Sequence, residues 1–338
     1  MFVFLLSACS EFPPYSYPRQ TIRIQFQGTM LNLSIENGFI VDLHDTQATS
    51  ILDYSTYWIS PAFIDSHVHL AYLPVHTALL NHGVAGVVDL AAPISFLQQD
   101  LSPLQIKHSG PMVTSALGYP TQTWGSNGYG IQCNDVLCIE NTIHDLVAQG
   151  SKLIKIPLTS SPTLSDEQIV AAVQTSKTLN LPIVGHALSN AQALRAADLG
   201  VNILAHTPTE VCTPETIEKW SQRTIISTLH AFGSTAAISN LSQVHSMGGR
   251  ILYGTDLGNV QEAGISATEI QKLQQAGLSS EEVIISGTTA PAQFWGFSDL
   301  GAIDIGFRAS FLVLDADPYI DISTLSRPFA VWIDGQKR

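Results

Sequence analysis

Residues 62–69 have the sequence AFIDSHVH, an apolar, strand-like run that ends in His67 and His69. Side chains alternate between the two faces of a strand, so histidines two positions apart point the same way and can bind one metal ion. Alone the pair is a weak signal, because the chain holds 11 histidines. The histidine pair becomes a strong signal only together with the apolar runs that follow it in the chain.

Four further apolar runs carry a residue that can bind a metal at or near their ends. The candidate ligands are Lys155, His186, His206 and Asp256. The 31 residues from Lys155 to His186 and the 20 from His186 to His206 approach the length of one strand–helix–strand unit, about 30 residues. The longer gaps before Lys155 and before Asp256 leave room for three and two such units.

Runs at 84–90, 111–116 and 224–228 supply predicted strands two, three and seven. On a ring of eight strands, the ligands then fall on strands one, four, five, six and eight. We therefore predict an α/β fold, a (β/α)₈ TIM barrel over residues 61–299, whose strand ends bring the ligands to one mouth. Helix starts between the strands are marked by capping residues at Ser165, Thr213 and Ser266.

These motifs make the sequence similar to the amidohydrolase superfamily, in particular to its imidazolonepropionase-like and prolidase-like branch. The resemblance implies that the alternating segments at both chain ends, residues 21–60 and 300–338, pair into a small β-sandwich domain beside the barrel. The matching stretches are FIDSHVH at 63–69, GVAGVVDL at 83–90, IKI at 154–156, GTD at 254–256, TAPA at 289–292 and LVLDADP at 312–318.

The resemblance also implies two divalent metal ions bridged by a carboxylated Lys155. His67 and His69 would bind one metal, His186 and His206 the other, and Asp256 would lie beside a bridging water. These ligands suit several divalent metals, of which we expect zinc.

The residue types suit this chemistry. Burial favours the neutral lysine amine that captures carbon dioxide, and two metals activate a water to hydroxide and polarise a carbonyl. Asp256 is the candidate catalytic residue that carries the water's proton to the leaving group. The alternative is that Lys155 is a structural lysine beside a single metal.

Two absences narrow the reaction and the substrate. Nucleobase deaminases of the resembled superfamily carry a glutamate where this chain has Ser189, so ring deamination is disfavoured. No Lys or Arg lies in the segments that follow the eight predicted strands, so a clamp for a carboxylate or phosphate is missing. We predict a metal-dependent hydrolase of small amide or cyclic amide carbon–nitrogen bonds with a neutral or cationic substrate. The alternatives are a lactonase or esterase on the same site, or a non-catalytic metal-binding or solute-binding lipoprotein.

The segments after strands three and seven can also touch substrate. Residues 117–144 carry Tyr119, Trp124 and Tyr129 and form either a cover over the barrel mouth or an ordinary surface excursion. His230, just beyond strand seven, is a candidate substrate contact.

The N-terminal segment predicts a cellular location. Residues 6–9, LSAC, match a bacterial lipoprotein box with Cys9 as the lipidated residue, and residues 1–20 would form signal segment and tether. We therefore expect a periplasmic or outer-membrane-anchored protein that meets the membrane only through its lipid. The stretch before Cys9 is short and lacks Lys and Arg, which leaves a cytoplasmic protein as the alternative.

Cysteine use and charge complete the prediction. Cys133 and Cys138 can close a small disulfide ring, which an oxidising compartment permits. A formal net charge of −13 without a basic run argues against nucleic acid as a partner. The sequence makes no prediction of oligomeric state.

Overall fold

The computed structural model describes residues 18–338. The expected lipid attachment at Cys9 lies outside this range. Within it, no helix is both long and apolar enough to cross a membrane.

Seventeen strands are present in the described part of the chain. In chain order they are β1 Gln20–Phe26, β2 Thr29–Glu36, β3 Phe39–Asp42, β4 Ile51–Pro61, β5 Phe63–Val68, β6 Val84–Asp89, β7 Gln105–His108, β8 Met112–Ser115, β9 Gly130–Cys133, β10 Ile154–Pro157, β11 Ile183–His186, β12 Ile203–Leu204, β13 Thr224–Ile226, β14 Arg250–Leu252, β15 Phe311–Leu314, β16 Ala330–Ile333 and β17 Gln336–Lys337.

Ten α-helices accompany these strands within residues 18–338, with two 3₁₀ helices at Ile94–Phe96 and Ile322–Ser326. The α-helices are α1 His76–Asn81, α2 Val136–Ala148, α3 Asp166–Thr178, α4 Asn190–Asp198, α5 Pro214–Trp220, α6 Leu229–Phe232, α7 Thr235–Ser246, α8 Ala267–Gln275, α9 Ser280–Gly287 and α10 Thr289–Trp295.

Parallel strands form the barrel that the sequence predicts. One sheet has the order β10-β11-β12-β13-β14, and another has β5-β6-β7. The two meet where residues after β14 bond to β5: the amide of Ser66 donates to Tyr253 O at 3.0 Å and that of Asp256 to His67 O at 2.9 Å. Every residue of β5 and β6 is buried, as expected for parallel strands covered on both faces.

Barrel strand three is broken into two pieces. β7 pairs with β6, whereas β8 pairs with β9 and lies beside β10. The sequence predicts a single strand over 111–116, which corresponds only to β8. The missed piece, QIKH, is only partly buried, so it lacks the apolar pattern that marks the other strands.

Helix starts follow the predicted capping signals. The Ser165 side chain accepts from Gln168 N, and the Gln168 side chain accepts from Ser165 N, which is a complete capping box. Thr213 and Ser266 accept from the amides of Thr216 and Glu269. These caps fix where each helix leaves the loop that follows a barrel strand.

The two chain ends form one seven-stranded sheet, ordered β17-β16-β15-β4-β1-β2-β3. Its far edge, β3, bonds through Ile40 to the backbone of Gly306 and Phe307 just before β15, so the sheet closes on itself. The enclosed core joins side chains of β1, β2 and β4 to side chains of β15 and β16, Phe311 and Trp332 among them. The chain ends therefore pair with each other, as the resemblance implies, in one closed sheet.

Candidate metal centre

All six predicted ligands line one cavity of about 250 Å³ at the carboxyl ends of the barrel strands. Their side chains are buried, with residue exposures of 8% or less. They are His67 in β5, His69 just beyond it, Lys155 in β10, His186 at the end of β11, His206 just beyond β12 and Asp256 beyond β14.

His67, His69 and Asp256 form the tightest group. Oδ1 of Asp256 lies 3.2 Å from Nε2 of each histidine, and the two Nε2 atoms lie 3.3 Å apart. His67 Nδ1 donates to the carbonyl of Ala205 at 2.9 Å, which leaves the lone pair on Nε2. Within residues 18–338, this trio offers three ligand atoms close enough together to hold one metal ion.

His186 and His206 form a second pair, with Nδ1 of His186 3.0 Å from Nε2 of His206. Burial lowers the pKa of His186 to about 3 and holds that of His206 well below its usual value. Both imidazoles are therefore neutral and can offer lone pairs. The other nitrogen of His206, Nδ1, is 3.0 Å from the hydroxyl of Thr228, a residue held at a φ of 44°.

Lys155 lies between these two groups in the barrel order and is completely buried. Its Nζ has no hydrogen-bond partner in the described residues. Burial lowers the pKa of Lys155 to about 7, while the charge of Asp256 opposes the shift. A buried amine without a partner is costly unless it is neutral or modified, so this environment fits a carboxylated lysine that binds metal.

Asp256 is ionised and has one unpartnered oxygen. Burial raises its pKa, but the surrounding imidazoles of His67, His69 and His206 outweigh burial and hold the pKa well below the usual value. Oδ2 accepts from Asn259 Nδ2 at 3.3 Å, whereas Oδ1 has no hydrogen-bond donor in the described part of the chain. Together with the unpartnered Lys155 amine and the converging imidazoles, this donor set fits divalent metal ions.

Buried residues beside the ligands fix their positions. Asp65 accepts from the amide of His67 at 3.0 Å and from the amide and hydroxyl of Thr255 at 3.0 and 2.6 Å. Burial raises the pKa of Asp65 to about 7. Asp256 follows Thr255 at a φ of 59°, a left-handed conformation that aspartate tolerates better than most residues.

Asp89 and Gly258 hold the segment around His69. Asp89, at the end of β6, accepts from the amide of Leu70 at 2.8 Å and from that of Ala91 at 3.1 Å. Gly258 has a φ of 122°, and a Cβ on it would lie 2.9 Å from Cβ of His69. A side chain at position 258 would therefore displace His69.

Aromatic rings form the outer wall of the cavity. Tyr119 stacks on His186 with centroids 5.0 Å apart, and Trp124 lies 5.1 Å from the ring of His69. Phe232 contacts His206 edge-on at 4.7 Å, and Tyr72 meets Trp124 at 5.7 Å. Burial raises the pKa of Tyr119, with the charge of Asp256 adding to the shift.

The aromatic wall belongs largely to the segment after barrel strand three. Sequence alone left this segment as a cover or as a surface excursion, and the structure places Tyr119 and Trp124 of it in the cavity lining. Tyr129 packs behind Trp124, with centroids 5.3 Å apart. Further along the same segment, Cys133 is joined to Cys138 by a disulfide.

Other candidate residues have different surroundings. His230 is absent from the described residues that line the cavity, and its Nδ1 lies 2.8 Å from the hydroxyl of Ser266, so the geometry gives no support to a substrate contact. Ser189 caps α4 by accepting from Gln192 N and does not supply a catalytic acid.

Five cavity-lining residues are not predicted from the sequence: Tyr72, Met112, Phe232, Gly258 and Asn259. Each lies within a few residues of a barrel strand end, where a TIM barrel places its active site. That position was the available signal, but residue type alone did not separate them from their neighbours.

Comparisons with known proteins extend these observations. A model of the amidohydrolase family matches residues 58–337. A search of curated proteins gives no match.

Solved structures share the fold. A Xaa-Pro dipeptidase with bound methionine in its active site has a TM-score of 0.81 at 18% identity, over 95% of this chain and 100% of that one. A putative prolidase from Bifidobacterium longum has a TM-score of 0.76 at 21% identity, over 95% of this chain and 94% of that one. Ochratoxinase from A. niger has a TM-score of 0.73 at 16% identity, over 95% of this chain and 96% of that one.

Proposed function

The chain belongs to the amidohydrolase family, and from this premise we propose that it is a metal-dependent hydrolase that cleaves a carbon–nitrogen bond of a small amide or cyclic amide. One observation carries the proposal: four imidazoles, the Asp256 carboxylate and an unpartnered buried lysine converge on one cavity. Proteins named as a dipeptidase, an ochratoxinase and a phenylurea hydrolase share the fold, which agrees with a hydrolase.

The proposed centre holds two divalent cations, with zinc expected. His67, His69 and Asp256 would bind one, His186 and His206 the other, and a carboxylated Lys155 would bridge them. When bound, such ions lower the pKa of water and polarise a carbonyl oxygen.

Asp256 is the proposed proton carrier. Its carboxylate is buried and ionised and accepts from Asn259, and the Thr255–Asp65 hydrogen bond fixes the residue before it. It would accept a proton from the attacking water and give it to the leaving nitrogen, which is general base and then general acid catalysis. No other carboxylate of the described residues lines the cavity.

The cavity lining favours a neutral or cationic substrate. Tyr72, Tyr119, Trp124 and Phe232 supply apolar and π surface that suits planar groups or cations. Lys155 is the only Lys or Arg of residues 18–338 in the lining, and it is consumed by the proposed bridge. A free carboxylate on the substrate would therefore have no Lys or Arg partner among the described residues of the lining.

The first experiment is elemental analysis of the protein purified with bicarbonate and Zn²⁺, followed by assays on neutral amides, cyclic amides, lactones and X-Pro dipeptides. The proposal expects about two metals per chain and turnover of neutral amides. Turnover of lactones alone would show that the protein is a lactonase rather than a hydrolase of carbon–nitrogen bonds. Efficient turnover of X-Pro dipeptides but not of their neutral amides would refute the proposal that the substrate is neutral or cationic.

The Asp256→Asn variant distinguishes an enzyme from a non-catalytic metal-binding or solute-binding protein. We expect a loss of about 10²–10⁴-fold in rate, the size of one general acid–base contribution, while most of the metal is retained. The matched control is Asp304→Asn, at an exposed position of the small domain. Wild-type metal content with no turnover of any panel compound would instead favour the non-catalytic binding protein.

We also propose that Cys9 is lipidated and anchors the protein outside the cytoplasm of a bacterium. The LSAC sequence at 6–9 and the Cys133–Cys138 disulfide support this location. The test is incorporation of labelled palmitate in cells, which Cys9→Ala should abolish. A soluble, unlabelled wild-type protein in the cytoplasmic fraction would refute the anchor.

A further inference from the structure

Tyr119 and Trp124 form a hydrogen-bonded pair within the metal-site cavity. Trp124 Nε1 lies 2.8 Å from the Tyr119 hydroxyl. An indole N–H only donates, so the phenol oxygen is the acceptor in this bond. The Tyr119 proton is therefore available for another acceptor, and its hydroxyl has no second hydrogen-bond partner in the described part of the chain.

The ring of Tyr119 fixes where that hydroxyl can act. It stacks on His186 with an angle of 25° between the ring planes and centroids 5.0 Å apart, so the phenol lies alongside a proposed metal ligand. The neighbouring Tyr72 also lines the cavity, but it is 51% exposed, at the rim. Tyr119 is thus the better enclosed neutral hydroxyl donor.

Hydrogen bonds and close packing within the loop fix the backbone around Tyr119. The amide of Leu117, at a φ of 56°, donates to the Gln132 side chain at 2.7 Å. The Thr121 hydroxyl donates to Gly118 O at 2.7 Å, and a Cβ on Gly118 would lie 2.4 Å from the Thr114 hydroxyl. A donor fixed before the reaction needs no reorganisation as charge develops, which is the condition for strong electrostatic stabilisation.

We propose that the Tyr119 hydroxyl donates a hydrogen bond to the carbonyl oxygen of the substrate as negative charge develops on it, and that Trp124 aims this hydroxyl. The inference rests on the proposed hydrolysis. Water adds to the carbonyl carbon, and the C=O electron pair moves onto oxygen, where Tyr119 stabilises it. The pair then returns as the C–N bond breaks, and the nitrogen leaves with the proton carried by Asp256. Tyr119 transfers no proton in this sequence.

The test compares Tyr119→Phe, Trp124→Phe and the double variant on the best neutral aryl amide of the panel. Tyr119→Phe keeps the ring stacked on His186 and removes only the hydroxyl. We expect kcat to fall about 10²-fold or more with little change in KM, the effect of losing one oxyanion donor. Tyr319→Phe is the matched control, because Tyr319 bonds to Gln27 in the small domain.

Trp124→Phe keeps an aromatic ring and removes the indole N–H. We expect kcat to fall about 5-fold, as for one net hydrogen bond, and the double variant to be no slower than Tyr119→Phe alone. This non-additivity marks an effect transmitted through Tyr119. Additive losses accompanied by lower metal content would show that the pair only supports the loop, and would overturn the proposal.

Binding of N-phenyl methylphosphonamidate, which carries a tetrahedral oxyanion, provides a readout that does not need turnover. Zinc-loaded wild type should bind it at least 10-fold more tightly than Tyr119→Phe does, by titration calorimetry. Equal binding, or equal kcat, overturns the role of Tyr119 while leaving hydrolysis intact. Tighter wild-type binding without turnover of any amide would overturn the proposed function and keep Tyr119 as the oxyanion donor.

Discussion

The hydroxyl of Thr255 donates a 2.6 Å hydrogen bond to Oδ2 of the fully buried Asp65. This bond joins the end of barrel strand eight to strand one. Because the same carboxylate accepts from the amide of His67, one side chain sets the spacing between His67 and Asp256.

Replacing Thr255 with Val should therefore weaken metal binding without touching a ligand. We expect metal affinity to fall about 10–100-fold, as for other supports of metal ligands. Stability should fall by about 1–3 kcal/mol, because Asp65 loses a partner. Metal titration and urea unfolding measure the two effects. Thr324→Val, which removes the buried hydroxyl bonded to Asp315 in the small domain, should lower stability alone.

Lys155→Met tests the bridging role of the lysine. Methionine fills much of the same volume but cannot be carboxylated, so we expect the metal content to fall from about two ions per chain towards one or none. Elemental analysis with bicarbonate present provides the measurement. Two tightly bound metals in this variant would contradict a lysine bridge.

Carboxylation of Lys155 in the metal-free protein should depend on pH. Only the neutral amine reacts with carbon dioxide, and burial lowers the pKa of Lys155 to about 7. The carbamate signal from ¹³C-bicarbonate should therefore rise as the pH passes upward through about 7, well below the range of an exposed lysine. A signal that appears only near pH 10 would contradict the buried, neutral amine.

The buried Glu269 should make the free energy of unfolding depend on pH. Burial raises its pKa to about 7 from a usual 4.5, so the folded chain binds a proton that the unfolded chain releases. This contribution is complete below pH 4.5 and is lost as the pH rises towards 7. Glu269→Gln should remove about 2 kcal/mol of the stability loss between pH 5 and pH 7, measured by urea unfolding at the two pH values. An unchanged slope would contradict a raised pKa.

Gly258→Ala should disturb the metal site by contact. The Cβ of the new alanine would lie 2.9 Å from Cβ of His69. We therefore expect weaker binding of the metal that His67, His69 and Asp256 would hold. Gly248→Ala is the control, because Gly248 also has a positive φ, 85°, but nothing lies within 4 Å of its Cβ position. Equal metal binding in the two variants would show that His69 is free to shift.

The barrel and the convergence of the six candidate ligands could be predicted from sequence because each candidate lies at or near the end of a buried apolar run. Parallel strands covered on both faces leave such runs, and strand ends of a barrel meet at one mouth. The order and spacing of the residues from His67 to Asp256 are therefore sufficient to predict their convergence.

Other features depend on contacts that spacing does not encode. His230 and Phe232 both follow strand seven, but a short helix carries Phe232 to the cavity lining while His230 bonds to Ser266. Likewise β7 is half-exposed and lacks the apolar signal of its neighbours. Asp65 and Thr255 belong to the motifs already quoted, but their hydrogen bond joins residues 190 positions apart.

The position of β15 between β4 and β16 has a consequence for the newly made chain. β4 runs directly into the barrel, but β15 leaves the ribosome only after all eight barrel strands and all six ligands. Until then one edge of β4 lacks its native partner, and an unpaired strand edge invites association with other chains. We expect a chain truncated before residue 311 to contain all six candidate ligands and still to aggregate during synthesis.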